Sequence, residues 1–205
     1  MIAGFLERVL ILSVRLLAGA QARWQGCCPT PDQRIYIANH SSHLDFLLLS
    51  SALPASLRLR ARPVAATEYW TSGPVRRYLI QNVFRCVLLG RERFQLNPLE
   101  PLAVALRQGD SLIFFPEGTR GPGDTLQPLK PGIFHLARWF PEIDIVPVWI
   151  DNSYRILPRG FAIPVPLITS VIFGPPLRGK EGQSQDQFLT QVRESLEALR
   201  PRWRS

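Results

Sequence analysis

The sequence predicts an α/β fold: a single domain whose mixed, largely parallel sheet is flanked by helices and preceded by an amphipathic N-terminal helix. Strand-like apolar runs alternate with helix-patterned segments along most of the chain, the signature of strands joined by helical crossovers. At 205 residues the chain suits one hydrophobic core and is short for two. Neither an internal repeat nor a linker-like stretch divides it. Its 46% hydrophobic and 20% charged residues exclude wholesale disorder.

Residues 2–24 are strongly apolar but interrupted by Glu7, Arg8, Arg15 and Arg23, so no uncharged run approaches the ~20 residues that cross a bilayer. Ala20-Gln-Ala22 resembles a signal-peptidase site, yet the apolar run 9–14 is short and Glu7 spoils a basic leader. The segment reads as a helix in the membrane interface. Phe5, Val9, Leu12, Leu16 and Leu17 would face the bilayer, with Arg8, Arg15 and Arg23 near head groups. An amphipathic helix packed on the core fits the same pattern. The expected division is thus 1–24 as interface helix and 25–205 as the main domain.

Pro29 and Pro31 make residues 25–33 a loop before a strand at 34–38. Residues 43–53 follow as a helix stopped by Pro54, then 62–66 as a strand. A short helix at 74–81 begins after Gly73, and the apolar run 83–89 suits a buried strand. A helix at 99–107 stops at Gly109, and 111–115 is again strand-like. Next come a helix at 132–139, a strand at 144–150, a strand at 168–173 and a last helix at 186–199. Pro147 inside its strand implies a bulge or an edge beside a site.

The formal charge of +8 points to an anionic partner: a phospholipid surface, nucleic acid or a phosphorylated substrate. Only Lys130 and Lys180 are lysines, and the arginines that make up the rest offer a planar fork suited to phosphate. Three cysteines, two of them adjacent, make no disulfide framework and fit a reducing compartment. No second Cys or His pair stands at metal-ligand spacing, so no metal site is expected.

Chemistry concentrates in Asn39-His-Ser-Ser-His-Leu-Asp45, at the end of the 34–38 strand. Residues five apart sit about 140° apart around a helix, so His40 and Asp45 cannot meet on one continuous helix. They meet if His40 lies in the turn after the strand and Asp45 in the first helical turn. Ser42-His-Leu-Asp45 has the form of a capping box, which places a helix start there and is also the structural reading of Asp45. A carboxylate that fixes an imidazole's tautomer makes the other ring nitrogen a general base. His43 is the rival imidazole and reads as a surface or packing residue. The second constellation, Phe115-Pro-Glu-Gly-Thr-Arg-Gly121, follows the 111–115 strand. Loops at strand carboxyl ends line the crevice of an α/β sheet; here Gly118 lets backbone approach a ligand and Arg120 can fork onto phosphate. A third basic position, Arg91, ends the run Leu88-Leu-Gly-Arg91.

Together, and in this order, these pieces resemble the glycerolipid acyltransferase family, the lysophosphatidic acid acyltransferases of phospholipid synthesis. Asn39 to Asp45 matches its motif N-H-x-S-x-x-D, Arg91 the arginine of its second motif, residues 115–121 its F-P-E-G-T-R, and Val146-Pro-Val148 its fourth. The resemblance spans roughly residues 34–175. The run before Arg91 departs from the family's usual glycine and phenylalanine, which leaves Arg93 as an alternative and acceptor specificity open.

The resemblance implies transfer of an acyl group from acyl-CoA or acyl carrier protein to the hydroxyl of a lysophospholipid, most simply 1-acylglycerol-3-phosphate. His40 and Asp45 would be catalytic; Arg91, Glu117, Gly118, Thr119 and Arg120 would bind the acceptor; no cofactor or metal is implied. It also implies a peripheral or monotopic protein at the cytoplasmic face of the cytoplasmic membrane. Three alternatives stand beside it: another lysolipid acceptor, a lipid hydrolase, and a non-catalytic basic module binding membrane or nucleic acid. The absence of a nucleic-acid motif or concentrated basic helix weighs against nucleic acid. All of this requires the His-Asp pair and the Glu-Gly-Thr-Arg turn to share one crevice.

Overall fold

A computed structural model describes residues 2–67, 73–90, 97–123, 125–156, 165 and 167–201. Strands β1 (Gln21–Trp24), β2 (Arg34–Ala38), β3 (Ala61–Ala66), β4 (Val87–Leu89), β5 (Ser111–Phe114), β6 (Asp144–Ile150) and β7 (Ser170–Phe173) form one sheet in the order β1-β7-β6-β2-β5-β3-β4. Every neighbouring pair is parallel except β6–β7. The expected α/β class with a mixed, largely parallel sheet is what the chain forms.

The sheet is apolar on both faces, as a sheet covered on both sides must be. Ile35 and Ile37 of β2 pack among α5 (Glu100–Arg107), α6 (Gly132–Trp139) and α8 (Gln185–Ala198) through Leu102, Leu106, Ile133, Leu136, Phe188 and Val192. The alternate residues Tyr36 and Ala38 pack on the other face, against Leu48 and Leu49 of α2 (Asp45–Ala52) and Leu57 of α3 (Ala55–Arg58). The described residues also form the short helices α4 (Pro74–Tyr78) and α7 (Ser153–Ile156).

Three expected elements differ. The N-terminal helix α1 spans Ile2–Ala18, not residues 2–24. Gly19, at φ +48°, ends it, and Gln21–Trp24 pairs in parallel with β7 as an edge strand. The 83–89 strand shrinks to Val87–Leu89, because α4 runs on into a π-helical turn over Leu79–Val83 and Arg85 takes φ +49°. Pro147 lies within an interior strand, where neither a bulge nor an edge of β6 accommodates it. Its carbonyl accepts Gly174 N–H on the β7 side at 2.8 Å, and pairing on that side is interrupted between the Ile145↔Leu177 bridge and Val148↔Phe173. The missing N–H therefore falls opposite the break at residues 174–176, so the irregularity belongs to the neighbouring chain.

α1 packs on the core along one side. Ile11 and Ala18 are buried, and the Arg15 guanidinium donates to Ser51 O at 2.9 and 2.6 Å, which anchors the helix to α2 instead of reaching for head groups. On the opposite side Ile2, Phe5, Leu12 and Leu16 stand 57–76% exposed, an apolar stripe on the surface. No helix among the described residues is long and apolar enough to cross a membrane.

Candidate active site

Four parallel strands, β2, β5, β3 and β4, lie side by side, so their carboxyl ends open on one edge of the sheet. The register Ile37↔Phe114 puts His40 and Glu117 each three residues beyond a paired position. Asn39 fixes where the chain leaves β2: its side-chain amide donates to Ile150 O (3.0 Å) and its Oδ1 accepts Ile150 N–H (2.7 Å). His40 then turns out of the sheet, and Asp45 opens α2.

The imidazole and carboxylate meet, with His40 Nδ1 at 2.8 Å from Asp45 Oδ2. The same oxygen accepts the backbone N–H groups of Ser41 (2.6 Å) and Ser42 (2.8 Å). Asp45 is fully buried, whereas the His40 side chain is 23% exposed and stacks on the Phe115 ring at 4.4 Å. The expected capping box is half made. Asp45 reaches back to Ser42 N–H, but Ser42 Oγ accepts Leu44 N–H and does not cap the helix. The carboxylate thus fixes both the loop and the ring, and with Nδ1 held, Nε2 is the nitrogen left for a substrate.

Glu117 ties the second motif to the first. Its Oε1 accepts His40 N–H and its Oε2 accepts Gln127 N–H, both at 2.7 Å, while Gly121 N–H donates to His40 O at 2.8 Å. The side chain is buried and does not line the cavity beside it. It clamps the two loops to each other, with both oxygens accepting backbone N–H groups. Burial pushes its pKa above the ordinary carboxylate value, opposed by the Gln127 and His40 N–H groups. The proton is then bound more tightly in the folded state, so this group's contribution to stability falls as pH rises from the ordinary value through the raised one. Glu117→Gln removes that slope and sets an NH2 against one of two N–H donors. The variant is expected to lose about 1–3 kcal/mol, read by denaturant titration, and to lower turnover by loosening the His40 turn.

His40, Gly118, Thr119 and Arg120 line one cavity of about 680 Å³ on this edge of the sheet. Its remaining wall is largely apolar and includes Phe46, Val64, Ile80, Leu89, Leu99 and Phe115. Arg91 lies outside the described residues. Cys86 is buried on this wall, its thiol pKa pushed up to about 12 by burial, so it is protonated near neutrality and inert as a nucleophile.

Lys130 and His135 line the cavity without having been singled out in the sequence, and His43, read there as a surface or packing residue, lines it too. His43 lies in the first motif, but nothing in the spacing says that it faces the cavity. Burial lowers its pKa, and Arg120, His40 and Arg76 push it the same way against Asp45, which keeps it neutral. Lys130 had a signal, as one of two lysines in an arginine-rich chain and ten residues after Arg120.

The family model described as Acyltransferase matches residues 26–151, which carry the His-Asp pair, the Glu-Gly-Thr-Arg turn and strands β2 to β6. The human protein named 1-acyl-sn-glycerol-3-phosphate acyltransferase alpha is 29% identical over 153 residues, 72% of this chain and 51% of its own length. A 1-acyl-sn-glycerol-3-phosphate acyltransferase of Limnanthes alba is 28% identical over 162 residues, 78% of this chain and 56% of its own. The chain thus spans about half the length of these curated relatives. The crystal structure of the 1-acyl-sn-glycerophosphate acyltransferase PlsC from Thermotoga maritima superposes with a TM-score of 0.73 at 21% identity, covering 99% of this chain and 83% of that one. The likeness to PlsC shows a shared fold, and the family match takes in more than half of the residues: the chain belongs to the Acyltransferase family.

Proposed function

We propose that the chain transfers a fatty acyl group from a thioester, acyl-CoA or acyl carrier protein, to the free hydroxyl of 1-acylglycerol-3-phosphate, giving phosphatidate. The observation that carries this reading is that His40, held by buried Asp45, and Arg120 line one cavity whose other walls are largely apolar. A phosphate, a hydroxyl and an acyl chain each have a chemically matched neighbour there. His40 Nε2 takes the hydroxyl proton as the oxygen attacks the thioester carbonyl. The tetrahedral oxyanion collapses, the C–S bond breaks, and the imidazolium returns the proton to the departing thiolate. Asp45 stabilises the imidazolium throughout. The thioester is already activated, so these steps call for neither metal nor redox cofactor. A protonated Cys86 and the lack of a Gly-x-Ser-x-Gly elbow favour direct transfer over an acyl-enzyme.

The test is an acceptor panel. Purified protein with acyl-CoA or acyl carrier protein would be offered lysophosphatidate, lysophosphatidylglycerol, lysophosphatidylethanolamine and no acceptor. Phosphatidate as the main product supports the reading. Free acid released with no acylated lipid would make the protein a hydrolase, and preference for another lysolipid would move the acceptor assignment.

The membrane part of the proposal rests on the exposed stripe of α1, which suits a helix lying along the cytoplasmic face of the cytoplasmic membrane. Leu12→Asp with Leu16→Asp alters two exposed positions, so folding is expected to survive. Partition onto anionic vesicles in flotation assays should fall by about tenfold or more. Unchanged flotation would remove α1 as the anchor.

A further inference from the structure

We propose that Lys130 is the second cation of the acceptor site, binding the phosphate monoester of the lysolipid jointly with Arg120 from a seat that Gly118 leaves vacant. The inference rests on the acceptor reading above and adds to it a residue outside the family-like motifs. The seat is visible in the backbone. Gly118 sits at φ +66°, and a Cβ placed on it would lie 2.6 Å from Lys130 Nζ, 2.7 Å from Cε and 2.8 Å from Cδ. The lysine stem therefore lies across the bare glycine, and any side chain at 118 would displace it. Lys130 N–H donates to Pro116 O at 2.8 Å, which locks residue 130 to the turn that carries Thr119 and Arg120.

Charge supports the same assignment. Lys130 lines the cavity with Arg120, and no Asp or Glu stands among the described lining residues. Among the described residues Lys130 Nζ has neither a hydrogen-bond nor an ion-pair partner, although the cationic turn is beside it. A lysine folded back against the turn that carries Arg120, with no carboxylate paired to it among the described residues, is arranged for an anion that arrives from outside. A phosphate monoester carries close to two negative charges at neutral pH and is matched by two cations. The acyl thioester of coenzyme A also bears phosphates, so the test must separate acceptor from donor.

Lys130→Gln and Lys130→Arg would be purified as full chains and assayed with acyl-CoA against two acceptors of equal chain length, lysophosphatidate and the phosphate-free monoacylglycerol. Lys130 is exposed at the cavity rim, so both variants are expected to melt with the wild type. Lys130→Gln should raise the KM for lysophosphatidate by about tenfold, equivalent to about 1.4 kcal/mol, with kcat within about twofold. KM for monoacylglycerol and for acyl-CoA should not move, and Lys130→Arg should recover most of the loss. An unchanged lysophosphatidate KM, an equal loss on monoacylglycerol, or a rise confined to the acyl-CoA KM would each overturn the assignment while leaving the enzyme's reading intact. A wild type that ignores lysophosphatidate but acylates another lipid would overturn both.

Discussion

His40→Ala is expected to lower kcat for acyl transfer by about 10⁴-fold while the melting transition stays within a few degrees of the wild type. The two halves of that expectation have separate causes. Activity goes because the general base is lost, the cavity imidazole that buried Asp45 holds at 2.8 Å. His43 shares the cavity, but Asp45 Oδ2 is committed to the His40 ring and two backbone N–H groups. The fold stays because what His40 contributes to architecture is backbone. Its N–H to Glu117 and its C=O from Gly121 both persist in alanine. The lost contacts are the partly exposed ring's stack on Phe115 and its hydrogen bond to Asp45, whose Oδ2 keeps the Ser41 and Ser42 N–H groups, together worth about 1–2 kcal/mol. Rate and stability measured on one preparation decide the matter. Turnover within about tenfold of wild type would remove His40 as the base.

Asp45→Asn is expected to lower kcat by about 10²–10³-fold, less than His40→Ala, with little change in fold. An amide in place of a carboxylate often turns its NH2 toward the imidazole and forces the wrong tautomer. Here the backbone N–H groups of Ser41 and Ser42 point at the same oxygen as His40 Nδ1. An NH2 in that place would face two donors, so the amide oxygen stays and the tautomer with it. What disappears is the negative charge that stabilises the imidazolium as the proton moves. Asp45→Ala lacks the oxygen altogether and leaves two N–H groups unpaired in a buried loop. It should therefore be the less stable of the two by about 1–3 kcal/mol in denaturant titrations. Equal stability of the two variants would mean that the loop does not depend on those bonds.

The His40–Asp45 pair was legible because both residues lie within one turn of chain, where spacing and helix geometry constrain them. The clamping role of Glu117 was not legible for the opposite reason: its partners are backbone groups of residues 40 and 127, and only the β2–β5 register brings them together. Lys130 was overlooked because its place depends on how the chain returns after residue 121 to lie on Gly118. Helix over strand at Gln21–Trp24 was a failure of periodicity. The apolar pattern continues past Ala18, and between Ala18 and Trp24 Gly19 is the one breaker. The stretch 83–89 shows the familiar ambiguity of a short apolar run, which suits a buried strand and a buried helix turn equally. The parallel core strands β2, β5 and β6 were legible because chain buried on both faces reads as continuous Ile, Val, Leu and Phe.

His40 as a base, not a nucleophile, is the point on which the proposed chemistry turns, and a pulse of labelled thioester without acceptor tests it most directly. Wild-type protein would be mixed with radiolabelled acyl-CoA, quenched over milliseconds to minutes, and separated from free lipid before lysophosphatidate is added to a parallel sample. The expected result is no label on the protein at any time, followed by phosphatidate formation only once the acceptor arrives. Stoichiometric label on the protein that chases into phosphatidate would contradict direct transfer and make a side chain of this chain the acyl carrier.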